Sequence, residues 1–135
     1  MGSNARHVLV VDDDKGSRIV LDHMLRSLGV IPLLASSAAL ALDFIHEYGD
    51  GICLVLVDLA MPEVNGFELS NVILNELELY HLPIIAITAR DTVDVKSLAD
   101  TIGIRQIVPK PFVVEELQDA LNPYLTAPSC ASKVN

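Results

Sequence analysis

Five short apolar runs, each followed by a stretch with helical spacing or a polar turn, constrain this chain more than any other feature. The runs are His7 to Val11, Val30 to Leu34, Ile52 to Val57, Pro83 to Thr88 and Gln106 to Val108. Four of them lack the in-out alternation of a strand with one wet face, so they read as strands covered on both sides. Between them apolar residues recur three and four apart, as at Val95, Leu98, Ala99 and Ile102, or Val114, Leu117 and Leu121, which marks crossover helices. Strict alternation of this kind predicts an α/β fold, a doubly wound (βα)5 sandwich around a five-stranded parallel sheet with right-handed crossovers.

At 135 residues the chain is long enough for one such core and too short for a second folded domain beside it. Residues 1–6 read as an expression remnant with an N-terminal extension, residues 7–125 as the folded unit, and residues 126–135 as a flexible tail or linker. The long uncharged stretch from Gly29 to Leu42 contains Pro32 and falls short of the about 18 apolar residues that span a bilayer. With no signal-peptide pattern either, the expected location is cytoplasmic, with no membrane contact. Cys53 lies in an apolar run and Cys130 in the polar tail, so both read as thiols outside any disulfide. A formal net charge of −9 opposes direct nucleic-acid binding, because a phosphate backbone would be repelled.

The order of the acids is more informative than their number. Val8 to Val11 run straight into Asp12, Asp13 and Asp14, and Cys53 to Val57 run into Asp58. Asp14 reads as a surface acid or as the N-cap of the helix that starts at Lys15 and runs to Leu28. In the flavodoxin-like strand order 2-1-3-4-5, strands one and three are neighbours, and ligands bind beyond the carboxyl strand ends at that switch point. Asp58 then faces Asp12 and Asp13, and three converging carboxylates require a cation. Oxygen ligands favour a hard ion such as Mg²⁺, with water completing its shell. The fourth and fifth runs end in Thr88 and in Pro109-Lys110-Pro111-Phe112, adding a hydroxyl and an ammonium to the same edge.

From about His7 to Leu125 the chain resembles the receiver domains of two-component response regulators. The landmarks are VLVVDDD, VLVDLAMPEVNG, IIAITA and VPKPF, in the family's order and spacing. The resemblance implies that Asp58 is the phosphoacceptor, that Asp13 and Asp58 bind Mg²⁺ directly with Asp12 acting largely through water, and that the Ala60 main-chain carbonyl is a further ligand. It implies that Lys110 pairs with the acceptor and its phosphoryl group, that Thr88 is the switch hydroxyl, and that the Lys110-Pro111 peptide bond is cis. The expected role is a signalling domain rather than an enzyme acting on a separate substrate, one that promotes its own Mg²⁺-dependent phosphorylation and dephosphorylation. The implied donor is a sensor histidine kinase or a histidine phosphotransfer protein, docking on the first helix. Output or homodimerisation would use the face of the fourth strand, fourth helix and fifth strand.

Several positions depart from the family's commoner pattern. Ile107 stands where an aromatic switch partner is frequent, so the expectation is a switch read from Thr88 and the loop after it. By the resemblance, Arg90 and Ala60 occupy positions that modulate dephosphorylation in the family, and Asn65 before Gly66 reads as a turn residue. The four histidines, His7, His23, His46 and His81, show no clustered spacing and are assigned no chemistry. Two rival readings remain. A haloacid-dehalogenase-like phosphatase would use Asp12 and Asp14, but leaves Asp58 and Lys110 without a role and lacks room for a cap domain. A receiver-shaped interaction module that works without phosphate would have no need of a metal-binding edge.

Overall fold

The computed structural model describes residues 6–59, 66–89 and 93–125. Five parallel strands, β1 (His7–Val11), β2 (Ile31–Ala35), β3 (Ile52–Asp58), β4 (Ile84–Thr88) and β5 (Gln106–Pro109), form one sheet in the order β2-β1-β3-β4-β5. The four crossovers carry helices α1 (Lys15–Ser27), α2 (Ala38–Tyr48), α3 (Gly66–Asn71) and α4 (Val93–Ile102), and α5 (Val114–Leu125) follows β5. This is the doubly wound flavodoxin-like fold expected from the alternation of patterns.

The period of two in each strand divides the core into two layers. Leu9, Val11, Val55, Val57, Ile84 and Ala86 face α2, α3 and α4, meeting Ala41, Ile45, Leu69 and Ala99. Val8, Val10, Leu54, Leu56, Ile85 and Ile87 face α1 and α5, meeting Leu21, Leu25, Leu117 and Leu121. Both faces of β3 and β4 are therefore buried throughout. The expectation of double cover fails in part for β2, where Ile31 is exposed, because β2 is an edge strand with one neighbour.

That edge also explains Pro32. Ile31 N donates to Arg6 O at 2.8 Å, so the next residue would turn its N–H away from β1 toward open solvent. Proline at that position therefore removes a donor with no partner in the sheet.

Two of the boundaries that differ from the sequence expectation, the end of α1 and the start of β2, share one reason. Gly29, at φ 84°, donates to Arg26 O at 3.1 Å, and Val30 N reaches back to Leu25 O at 3.3 Å. This pattern of paired returns closes α1 after Ser27 and places Val30 in the helix-ending turn, packed in the same cluster as Leu25. The strand consequently starts at Ile31 rather than Val30. After α3 the chain widens into π-type turns over Val72–Glu76, with Leu77 N bonded to Val72 O at 2.8 Å, a feature the sequence pattern did not announce. Among the described residues no helix is long and apolar enough to cross a membrane.

Candidate functional site

The carboxyl end of β1 gives its three consecutive acids three different environments. Asp12 N donates to Ala35 O at 3.0 Å, which keeps Asp12 on the last rung of the sheet and leaves it 1% exposed. Arg18 Nη1, which the sequence reading did not single out, fixes the Asp12 carbonyl at 2.8 Å from the first turns of α1. Asp13 is exposed. Asp14 turns away as the N-cap of α1, its Oδ2 accepting from Ser17 N at 2.8 Å, and that amide holds its carboxyl below the usual carboxylate range. An acid committed to the cap leaves the Asp12 and Asp14 pairing of a dehalogenase-like phosphatase unformed.

Asp58 ends β3 in register with Ile87 of β4, and Leu59 N continues the ladder to Ile87 O at 3.1 Å. Because β1 and β3 are adjacent, one carboxylate oxygen from each of Asp12, Asp13 and Asp58 lies within 4.8 Å of the others. Lys110 enters from β5, anchored by its own N–H to Thr88 O at 2.8 Å and followed by a cis peptide bond to Pro111. Its Nζ donates to Asp58 Oδ2 at 3.1 Å and to Asp12 Oδ2 at 3.3 Å. Thr88, 2% exposed, ends β4 one residue beyond the partner of Asp58.

Gly66, which sequence reasoning treated only as part of a turn, sits directly against the end of β3. A Cβ there would lie 2.7 Å from the Asp58 carbonyl oxygen and 3.0 Å from Leu59 Cα. The absence of a side chain is what lets the start of α3 close against the end of β3. The only sequence signal was the glycine itself, and its contact is tertiary. Ile107 is half-buried, pairs with Ala86 and packs on the α2, α3 and α4 side of the core. Ala60, Asn65 and Arg90 lie outside the described residues, as does Cys130.

Burial, reinforced by the neighbouring charge of Asp58, pushes the Asp12 carboxyl above its ordinary 3.8, against the opposing Asp14 amide and Lys110. Burial pulls Lys110 down, but its bond to Asp58 and the charges of Asp12 and Asp58 outweigh that and hold the ammonium above 10.5. Three carboxylates against one ammonium leave about two negative charges at the sheet edge when all are ionised. Oxygen-only donors with a net charge of this size fit a hard divalent cation, and few carboxylates with room for water fit Mg²⁺.

The sequence model of the response regulator receiver domain matches residues 8–122. Heme response regulator HssR of Staphylococcus epidermidis is 33% identical over 109 residues, which is 81% of this chain and 46% of that protein. Response regulator MprA of Mycolicibacterium vanbaalenii is 36% identical over 110 residues, again 46% of its length. The chain thus spans about half the length of these curated relatives. Among solved structures, chemotaxis protein CheY4 of Vibrio cholerae superposes with a TM-score of 0.83 at 25% identity, covering 90% of this chain and 99% of that one.

Proposed function

The chain belongs to the response regulator receiver domain family, and on that premise we propose that it takes a phosphoryl group from a phosphohistidine onto Asp58 as one step of a two-component phosphorelay. The observation that carries the reading is the convergence of Asp58, Asp12, Asp13 and Lys110 at one sheet edge, from strands far apart in sequence. In the transfer an Asp58 carboxylate oxygen forms a bond to phosphorus while the P–N bond breaks, its electron pair returning to the donor imidazole. Lys110 travels with the acceptor oxygen and offsets charge on the phosphoryl oxygens.

Asp12, Asp13 and Asp58, with the Ala60 carbonyl, would hold the Mg²⁺ that the family normally binds. When bound, that ion supplies charge neutralisation for phosphoryl transfer and for later hydrolysis of the acyl phosphate. Asp58 begins in an acidic cluster in which Lys110 is a cation partner, and a metal cation there lowers the cost of bringing a phosphoryl group beside it. Thr88, at the adjacent strand end, is the hydroxyl that moves to bond the new phosphoryl oxygen and carries the change to the surface. In this reading the unit is residues 7–125 and acts as a signalling domain.

A sensor histidine kinase or a histidine phosphotransfer protein serves as donor, docking on α1, where Ile19 and Val20 are about half exposed. The output domain or a second copy uses the face of β4, α4 and β5. The test is the intact-protein mass after incubation with acetyl phosphate and Mg²⁺, for the wild type and Asp58→Asn. A single Mg²⁺-dependent phosphoryl adduct that is absent in the variant is expected. No adduct on the wild type would overturn the reading in favour of a module that works without phosphate.

A further inference from the structure

We propose that a cavity at the opposite end of the sheet, between α2 and the π-type turns after α3, binds a small hydrophobic amine. The cavity has a volume of about 500 Å³, the size that encloses much of a compact organic ligand. Leu42 and Ile45 of α2 form one wall, and Val72 and Leu79 the other. Three polar side chains, His46, Asp50 and His81, complete the lining. It therefore offers an apolar body with hydrogen-bond acceptors and one carboxylate, and no ammonium or guanidinium.

Charge selects the ligand class. From Ser27 to Ala89 the sequence contains no Lys or Arg and eight Asp or Glu. Asp43, Glu47, Glu76 and Glu78 each adjoin a lining residue in the chain and are exposed. A carboxylate ligand would be repelled, whereas an ammonium donates to Asp50 and the imidazoles. The same charge opposes a second copy of this face, because two acidic rims would meet.

The backbone around the cavity is unusual in the same place. Val72 opens the π-type turn and Leu77 closes it, and both line the cavity. Glu78, between Leu77 and Leu79, has φ 57°, the only positive φ at a non-glycine residue among those described. Such features recur where a backbone is shaped around a site. Amine binding at this end of the sheet requires none of the residues at the acidic edge.

The test is a set of three probes of common shape, 4-phenylbutylamine, 4-phenylbutanol and 4-phenylbutyrate, titrated into the isotope-labelled protein without phosphodonor or Mg²⁺. The amine is expected to shift the methyl signals of Leu42, Val72 and Leu79 to saturation, with the alcohol weaker and the carboxylate weakest. Asp50→Asn, an exposed change, should weaken amine binding about tenfold, the loss of one charge-assisted bond, and leave the alcohol unaffected. Val72→Phe should fill the cavity and exclude amine and alcohol alike. Equal binding of amine and carboxylate, shifts confined to other regions, or unaltered amine affinity in Asp50→Asn would overturn the proposal. Tyr80, exposed between the lining residues Leu79 and His81, marks the same face, and sedimentation showing a dimer that Tyr80→Glu dissolves would likewise overturn the proposal, since a second copy would then cover it.

Discussion

Lys110 and Asp58, 52 residues apart in the chain, meet at 3.1 Å across the carboxyl edge of the sheet. The Lys110 side chain is 24% exposed and that of Asp58 9%, so the pair is screened less than a surface ion pair. Replacing Lys110 by Ala removes the positive charge that would meet an incoming phosphoryl group. Phosphorylation by acetyl phosphate at saturating Mg²⁺ is expected to slow about 100-fold, as when a preorganised donor is deleted. The rate read from intact mass over time checks this, and an unchanged rate would reduce Lys110 to a counter-ion at rest.

Asp12 sets a pH dependence whose sign follows from burial. Its carboxyl titrates above 3.8 in the folded chain, so between 3.8 and the raised value the native state keeps a proton that the unfolded chain has released. Ionisation of Asp12 therefore costs stability, a cost absent below 3.8 and complete above the raised value. Asp12→Asn is expected to raise the Tm of the metal-free protein at pH 7, because the ionisation cost is removed. Mg²⁺ should raise the wild-type Tm more than that of the variant, because it binds the folded carboxylates by mass action. A thermal melt series with and without Mg²⁺ decides this, and a variant less stable than wild type without metal would refute it.

Gly66→Ala places a methyl group 2.7 Å from the Asp58 carbonyl oxygen, a backbone atom with no rotamer to yield. The start of α3 or the end of β3 must shift, at a cost of about 1–3 kcal/mol by analogy with overpacking. Urea denaturation is expected to show that loss, together with slower phosphorylation of Asp58. Both effects arise from one displacement, so full stability with full activity would show that α3 adjusts freely.

The strand-end chemistry was legible because it depends on order along the chain. A parallel sheet covered on both faces needs uninterrupted apolar runs, and the residues just after Val11, Val57 and Val108 are then carried to one edge. The start of β2 was misjudged because Val30 is apolar for a different purpose, closing α1 against Leu25. The π-type turns at Val72–Glu76, the clearance at Gly66 and the grip of Arg18 on the Asp12 carbonyl follow from packing between elements. No period in the sequence encodes them.

Ile107 allows the route of the switch to be tested. Its partner in the sheet is Ala86, two residues before Thr88, and its side chain already packs on the core. An aliphatic residue in that place has no ring to swing inward into space vacated by a moving threonine. The signal should therefore travel along the main chain, because Lys110 N is bonded to Thr88 O at 2.8 Å and any shift of Thr88 pulls on β5 directly. On phosphorylation the largest amide shifts are expected at Thr88, Ala89 and Lys110, with the Ile107 methyl signals nearly unmoved. Ile107→Val, which keeps a β-branched apolar side chain, should leave this pattern and the phosphorylation rate within about twofold and cost about 1 kcal/mol of stability. Large Ile107 methyl shifts in the phosphorylated wild type, or a lost Thr88 response in Ile107→Val, would place the aliphatic side chain itself in the switch.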